Sequence, residues 1–359
     1  MRSYAIMHHP SHNRVYFETS LKLSAAEFQI AAQYFSVPCE NVQHQNIYGV
    51  DYLTFQTEGE LTAEDVQKVF GLSFVYAFFE RIVVNEEMLL RPIQKVKENF
   101  VDESISTILK YTGKTNEIFT RMMINVAFYS LEKAGERGGG RGAQSSARDI
   151  HLLDPIAGKG TTLYEGLIKG YHVHGIEIGD KVVHESGHFL RKFLENGKYK
   201  FDYSSLRISG PNKSFSALKH TFEAAATKED FKNKRTKLIE LVAGNSLYAD
   251  QYYKKNYFDL IVGDLPYGVQ HGNVTTEKQS SLTRNPAQLL SACLPAWHAV
   301  LKPGGVITLA WNCNVLSREK LAQILEEHGF CVKNEDPYTQ FEHRVDQAIL
   351  RDIVVGVKK

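Results

Sequence analysis

The chain has 359 residues and a mass of 40.7 kDa, a length that favours two domains, each able to bury its own core. Hydrophobic residues make up 43% and charged residues 23%. No apolar run reaches the roughly 20 residues that cross a bilayer, and the first residues lack the apolar core of a signal peptide. The four cysteines are scattered without a Cys-x-x-Cys pair, which argues against structural zinc and fits a reducing, cytoplasmic location.

The net charge of +1 conceals an uneven distribution. Residues 1–100 carry 8 Lys and Arg against 12 Asp and Glu, whereas residues 181–240 carry 13 against 7. We expect any surface that follows a phosphate backbone to lie on the second, basic stretch. The alternative is a solvated helix face of no special function.

The first 100 residues mix strand-like and helix-like segments and predict a small α+β domain. Residues 14–18 and 51–55 are rich in β-branched and aromatic residues, which favours strands. Residues 24–35 have a helical apolar pattern with Ser24 as its N-cap, and Thr62 begins a second helix with an acidic first turn.

From residue 101 to residue 359 the sequence predicts one larger domain. The sequence predicts a helix over 115–133, followed by a glycine-rich stretch, 135–146. Such a stretch is typical of a linker. The alternative is an RNA-binding segment of glycine and arginine residues. Strands then alternate with helices, and this indicates an α/β fold with a mostly parallel sheet. The predicted strands are 150–154, 171–177, 237–243, 258–263 and 304–311, and the predicted helices are 160–169, 181–195, 285–301 and 317–328. Residues 330–334 and 347–357 complete seven strands as a C-terminal antiparallel hairpin.

A glycine-bearing loop, Asp154-Pro155-Ile156-Ala157-Gly158-Lys159-Gly160, follows the first of these strands. In an open parallel sheet, ligands bind beyond the carboxyl ends of the strands. The glycines let the backbone turn tightly and approach a bulky ligand, and Thr161 and Thr162 begin the next helix. The loop has neither the G-x-G-x-x-G spacing nor the G-x-x-x-x-G-K-[ST] phosphate loop, so an adenosyl ligand is favoured over a dinucleotide or a triphosphate.

Two polar residues follow the next strands. Glu177 lies about 20 residues past the loop, where a carboxylate accepts hydrogen bonds from ribose hydroxyls. Asn245 follows the strand 237–243, and its side-chain carbonyl is suited to the amino edge of adenine. A turn-forming role for Asn245 stays open.

The tetrad Asp264-Leu265-Pro266-Tyr267 follows the buried strand 258–263 and suits methylation of an amino group on a nucleobase. That nitrogen is a poor nucleophile because its lone pair is delocalised into the ring. The Asp264 carboxylate and the Leu265 carbonyl are two acceptors for its hydrogens. Pro266 stiffens the loop, and Tyr267 offers a stacking face for the base.

Residues 105–359 resemble the RNA methylase family whose best-known members are the tRNA guanosine-N2 methyltransferases, many of which carry a THUMP domain. The glycine loop, Glu177, the tetrad and the segment Tyr111-Thr112-Gly113-Lys114-Thr115-Asn116-Glu117 carry the resemblance. It implies a Rossmann-like methyltransferase sheet, S-adenosylmethionine as cofactor and RNA, above all tRNA, as partner. In the family the upstream segment covers the methionine end of the cofactor. The resemblance therefore implies this set of cofactor-binding residues: Thr112, Thr115, Asn116, Asp154, Ala157, Gly158, Gly160, Thr161, Thr162, Glu177, Asn245 and Asp264.

The chain departs from the family pattern at three places. Leu265 stands where proline is commonest, the acidic N-terminal domain shows no clear THUMP pattern, and residues 199–236 form a basic insertion. We expect that insertion, with Lys232, Lys234 and Arg235, to help hold RNA.

Two other functions fit the sequence. One is an N6-adenine methyltransferase acting on DNA or another RNA, since the tetrad suits adenine equally well. The other is a non-catalytic RNA-binding scaffold that keeps the fold. A metal site is not expected, because the histidines between residues 151 and 188 lack an identifiable third ligand.

Overall fold

The computed structural model describes residues 1–10, 14–95, 99–111, 114–131, 149–266 and 285–359, with residues 14–18 described by their backbone alone. The glycine-rich segment 135–146 lies outside the described residues. The described chain forms two compact units. Unit 1 comprises residues 1–95 and 334–351, and unit 2 comprises residues 99–131, the described part of 149–333, and 352–359.

Unit 1 is built on a five-stranded antiparallel sheet with the order β2-β3-β1-β4-β5. Its elements are β1 (Arg2–His8), α1 (Arg14–Ala32), β2 (Cys39–Ile47), β3 (Val50–Thr57), α2 (Ala63–Phe70), β4 (Val75–Val84) and β5 (Glu87–Pro92). Aromatic rings fill its core, with Phe28 of α1 against Phe55 of β3 at 4.7 Å between ring centroids. Thr62 caps α2 as expected: it accepts a hydrogen bond from the backbone N–H of Asp65, whose carboxylate accepts one from the Thr62 N–H in return.

The expected strand over 14–18 is wrong, because these residues begin helix α1. Ser24 is not its N-cap either; it lies in the middle of the helix and donates from Oγ to the carbonyl of Leu21 at 2.6 Å. Leu23, Ala26 and Ile30 repeat at helical spacing and are buried. Burial of this stripe stabilises a helix through residues whose composition alone favours a strand.

Unit 2 contains an α/β sheet with the order β13-β15-β12-β11-β6-β7-β10-β9-β8. Strand β14 (His343–Arg344) falls in unit 1, as do Leu350 and Arg351, the two residues of β15 with which it pairs. The helices of unit 2 are α3 (Ser104–Thr107), α4 (Glu117–Tyr129), α5 (Thr161–Ile168), α6 (Asp180–Asn196), α7 (Lys228–Lys232), α8 (Ala249–Tyr252), α9 (Pro286–Val300) and α10 (Arg318–Glu327). Its strands are β6 (His151–Asp154), β7 (His172–Glu177), β8 (Lys200–Ser209), β9 (Ser216–Ala225), β10 (Lys237–Ala243), β11 (Phe258–Asp264), β12 (Leu301–Asn312), β13 (Phe330–Val332) and β15 (Leu350–Lys358). Four neighbouring pairs in this order are parallel, namely β12–β11, β11–β6, β6–β7 and β7–β10. The predicted Rossmann-like α/β fold is therefore confirmed.

The sheet is larger than the seven strands expected from the sequence. The predicted C-terminal hairpin is present, with Phe330 of β13 opposite Lys358 of β15 in an antiparallel pair. Beyond β10, however, the insertion 199–236 adds the antiparallel strands β9 and β8. Strand β9 satisfies the backbone groups of β10, which would otherwise be an open edge.

The strand order reverses between β6 and β11. The chain passes from β6 to β7 and β10 on one side and returns to β11 and β12 on the other. In doubly wound sheets, a crevice opens at such a reversal beyond the carboxyl ends of the strands. Among the helices of the described ranges, none combines the length and apolar character that a membrane crossing requires.

Candidate active site

Three carboxylates stand at the carboxyl ends of adjacent parallel strands. Asp154 ends β6, Glu177 ends β7 and Asp264 ends β11. Asn245 follows β10 by two residues. The strands are hydrogen-bonded in the order β11-β6-β7-β10, so the four side chains share one edge of the sheet at the point where strand order reverses.

Asp154 is the most deeply placed of the three carboxylates. It is 3% exposed, its Oδ1 accepts from the backbone N–H of Ile156 at 3.1 Å, and the Thr162 hydroxyl donates to it. Burial raises the pKa of Asp154, the negative charges of Asp264 and Glu177 raise it too, and the hydrogen bonds from Thr162 and Ile156 lower it, with a net value of about 7. Asp264 and Glu177 thus bring negative charge to this edge beside Asp154, and that charge favours a cationic ligand.

The glycine loop is held at both ends by backbone hydrogen bonds. Ala157 donates to the carbonyl of Ile176 at 2.9 Å, and Gly160 donates to the carbonyl of Ala157 at 2.8 Å. Gly158 and Gly160 have φ values of +51° and +93°, in the left-handed region that favours glycine. A Cβ atom on Gly158 would meet no atom within 4 Å, so this loop residue borders open space.

Glu177 links the loop to the next strand. Its Oε2 accepts from the N–H of Gly158 at 3.1 Å and its Oε1 accepts from the N–H of Gly179 at 2.9 Å. Its carbonyl accepts from Gly244 at 3.0 Å. The carboxylate is thus fixed in orientation, and each of its oxygens retains a lone pair for a further donor.

Two asparagines of the expected site cap helices. Asn116 Oδ1 accepts from the N–H groups of Ile118 and Phe119 at 2.9 and 3.1 Å, at the start of α4. Asn245 Oδ1 accepts from the N–H of Leu247 at 3.0 Å and caps a short 3-10 helix, Ser246–Tyr248. The turn-forming role left open for Asn245 is the one seen here.

The tetrad is anchored to the sheet through its second residue. The N–H of Leu265 donates to the carbonyl of Ala310 in β12 at 2.8 Å, and the Leu265 side chain is 1% exposed within the core. Asp264 accepts from Thr115 Oγ1, the two oxygens being 2.8 Å apart. Pro266 is half-buried. Two expected site residues, Thr112 and Tyr267, lie outside the described residues.

Sequence reasoning missed Tyr111 and gave no role to Lys159. The Tyr111 hydroxyl is 3.3 Å from the hydroxyl of Thr161, and burial raises its pKa. Lys159 Nζ lies 5.1 Å from the centroid of the Tyr111 ring and 3.0 Å from Glu185 Oε2. The contact between Lys159 and the Tyr111 ring links the first residue of the upstream segment to the glycine loop. The signal available in the sequence was an aromatic residue at the head of the segment and a cation between two glycines.

His151 and His172 begin β6 and β7, at the end of the strands opposite the carboxylates, and His174 lies in the middle of β7. His151 Nδ1 is 3.1 Å from His174 Nε2, and His174 Nδ1 is 2.7 Å from Glu240 Oε2. Burial lowers the pKa of His151 to about 3. Within the ranges that the structure describes, no group of three or more His, Cys, Asp or Glu side chains is arranged to hold a metal ion.

Comparison with known proteins yields remote structural similarity. No protein-family model matches the chain, and no curated protein matches it. TrmN from Thermus thermophilus is 11% identical, with 100% of both chains covered and a TM-score of 0.42. A TehB-like SAM-dependent methyltransferase from Corynebacterium glutamicum is 16% identical, covering 60% of this chain and 83% of its own, with a TM-score of 0.33. Magnesium protoporphyrin IX methyltransferase from Synechocystis PCC 6803, solved with bound SAM, is 11% identical, covering 58% and 70%, with a TM-score of 0.34. Values this low do not assign an activity to the chain.

Proposed function

We propose that the chain is an S-adenosylmethionine-dependent methyltransferase that acts on an exocyclic amino nitrogen of a nucleobase in RNA, with guanosine N2 in tRNA as the first substrate to test. The observation that carries the proposal is the convergence of Asp154, Glu177 and Asp264 where the strand order reverses. A carboxylate set of this kind favours a ligand with positive charge, and S-adenosylmethionine carries a sulfonium and an ammonium group.

The residues at this edge fit that cofactor. Glu177 is held by two backbone N–H groups and retains acceptor capacity for two ribose hydroxyls. Gly158 borders open space, so the backbone at this position offers no steric barrier to a bulky ligand. Asp154 adds negative charge once it is ionised. When bound, the cofactor supplies an electrophilic methyl group on a cationic sulfur.

Two acceptors of the tetrad, at Asp264 and Leu265, support the choice of amino-group chemistry. The Asp264 carboxylate and the Leu265 carbonyl accept the two amino hydrogens, which orients the nitrogen lone pair away from the ring plane. Thr115 fixes one oxygen of Asp264, and the hydrogen bond to Ala310 fixes the peptide of Leu265. We also propose that Asp264 accepts the proton released after transfer, directly or through water. Tyr267 is proposed to stack on the base.

The test is labelled methyl transfer to bulk tRNA, ribosomal RNA and DNA, followed by mass spectrometry of the nucleosides. We expect N2-methylguanosine from tRNA. N6-methyladenine would replace the guanine assignment, and no transfer to any nucleic acid, despite cofactor binding, would favour a scaffold. Asp264→Ala should abolish transfer and weaken cofactor binding only in part, because Asp154 and Glu177 remain, with Asp250→Ala, an exposed aspartate of α8, as the matched control.

A further inference from the structure

A stripe of cations and histidines runs along one face of α6. The stripe consists of Lys181, His184, His188 and Arg191, spaced by three, four and three residues, which places them on one side of a helix. Because α6 begins three residues after Glu177, the stripe starts at the edge of the sheet that holds the candidate active site. Glu195, one turn beyond Arg191, ends it.

The hairpin of β8 and β9 faces this stripe. Arg191 Cζ lies 4.3 Å from the centroid of the Tyr203 ring, and the Tyr203 hydroxyl is 2.8 Å from His220 Nδ1. Tyr203 and Arg207 are four residues apart in β8, so their side chains lie on the same side of the strand. Both residues are exposed, and Tyr203 is 40% exposed. The α6 stripe together with Tyr203, Arg207 and His220 is called the α6–β8 face.

The hairpin turn is fixed beside the candidate active site. In the antiparallel pair of β9 with β10, Leu218 lies opposite Ala243, the last residue of β10. The turn at 210–215 therefore projects at the carboxyl edge of the sheet. The Phe215 ring stacks on Tyr248 at 4.4 Å and meets Tyr252 edge-on at 5.7 Å, which ties the turn to the segment that follows Asn245.

We propose that the α6–β8 face binds a single-stranded segment of the RNA substrate and leads it to the catalytic edge. The inference rests on the proposed function. Lys181, Arg191 and Arg207 supply charge for phosphates, and the exposed Tyr203 ring, supported by Arg191, supplies a stacking surface for a base. The face is continuous with the carboxyl edge, and residues 181–240, which contain it, carry 13 basic and 7 acidic residues.

This face differs from the basic cluster that the sequence singled out. Lys232 ends α7, and Lys234 and Arg235 lie immediately before β10, which begins at Lys237. They therefore stand at the amino-terminal edge of the sheet, away from the three carboxylates. Arg235 is also paired with Asp230, with 2.8 Å between Nη2 and Oδ1.

The experiment measures binding of a fluorescent single-stranded RNA and of tRNA by anisotropy at several salt concentrations. The double variant Arg191→Gln/Arg207→Gln should weaken binding on the order of tenfold near physiological salt and reduce the slope of log K against log salt by about 1.4, the value for two lost contacts on a single strand. The charge-matched control is Lys232→Gln/Arg235→Gln, which should bind as the wild type does. Tyr203→Phe should retain affinity, and Tyr203→Ala should lose several-fold.

The outcomes separate the inference from the proposed function. Unchanged RNA binding by the Arg191→Gln/Arg207→Gln variant, or an equal loss in the control, would overturn the inference. The inference would also be overturned if polyglutamate displaced the fluorescent RNA as effectively as unlabelled RNA does, because that result would indicate a site for an acidic protein. Circular dichroism checks that each variant is folded, and titration with S-adenosylhomocysteine checks that each variant binds the cofactor product. If cofactor binding fails while the RNA results hold, the methyltransferase proposal fails and the RNA surface stands.

Discussion

Thr115 donates a hydrogen bond from Oγ1 to Asp264 Oδ2 across 149 positions of sequence, with 2.8 Å between the oxygens. Thr115 immediately precedes Asn116, the N-cap of α4, so the start of the helix determines where this hydroxyl lies. The family resemblance implies a cofactor contact for Thr115. The structure shows a second role beside that expectation: the Thr115 hydroxyl orients the carboxylate of the tetrad.

Thr115→Val should separate these two roles, because valine keeps the shape and lacks the hydroxyl. A hydrogen bond to a charged group contributes about 1.5–3 kcal/mol, so we expect kcat to fall by about 10- to 150-fold while the Kd of S-adenosylmethionine stays within a few-fold. Thr115→Ser is the matched control and should recover most of the activity. A large rise in the cofactor Kd with unchanged kcat would show that Thr115 binds the cofactor instead.

Glu177→Gln should weaken cofactor binding more than catalysis. Its two oxygens orient the loop through Gly158 and Gly179 and are proposed to accept the ribose hydroxyls. Replacing one oxygen by NH2 removes the negative charge and one acceptor, so we expect the Kd for S-adenosylhomocysteine to rise by about 10- to 100-fold, measured by calorimetry. Glu326→Gln, an exposed residue of α10, is the control. Equal affinities would remove Glu177 from the cofactor site.

The sequence predicted the central sheet well because its strands are short apolar runs bounded by polar loops. The strand predicted at 237–243 is the observed β10, and the predicted helix 181–195 differs from α6 by one residue at each end. Parallel strands buried on both faces leave little choice of conformation. The placement of Asp154, Glu177 and Asp264 at one edge follows directly from that pattern.

The features that the sequence did not predict depend on contacts between residues far apart in the chain. Residues 200–209 are mostly exposed and lack the apolar run of a central strand, and they form β8 because β9 pairs with the edge of β10. The hydrogen bond between Thr115 and Asp264 also depends on tertiary positions that no local pattern contains. The residue types indicate which chemical groups are available, and the tertiary fold determines which partners those groups contact.

Leu265→Ala should destabilise the protein and reduce activity together. The Leu265 side chain is 1% exposed and packs in the core with β12, and its peptide presents the carbonyl proposed to accept an amino hydrogen. Truncation of a buried leucine costs about 2–5 kcal/mol, which chemical denaturation will measure. Leu265→Met conserves volume and should cost less than about 1.5 kcal/mol. A fully stable Leu265→Ala variant would contradict the anchoring role.

Asp154 should make folding stability depend on pH. Burial raises its folded pKa from 3.8 to about 7, so the folded protein retains a proton that the unfolded chain releases near pH 4. The contribution to stability is therefore full below about pH 4 and is lost as the pH rises through about 7. At about 1.4 kcal/mol for each pKa unit, the change is on the order of 4 kcal/mol.

Asp154→Asn should flatten this dependence while keeping an Oδ1 acceptor for the Ile156 N–H, with Asp250→Asn as the exposed control. The measurement is urea denaturation from pH 4 to pH 8. A cation bound beside Asp154 lowers its pKa, so saturating S-adenosylmethionine should also reduce the wild-type slope, and more than neutral S-adenosylhomocysteine does. Equal slopes for the wild type and Asp154→Asn without ligand would show that Asp154 is ionised in the folded protein throughout this range.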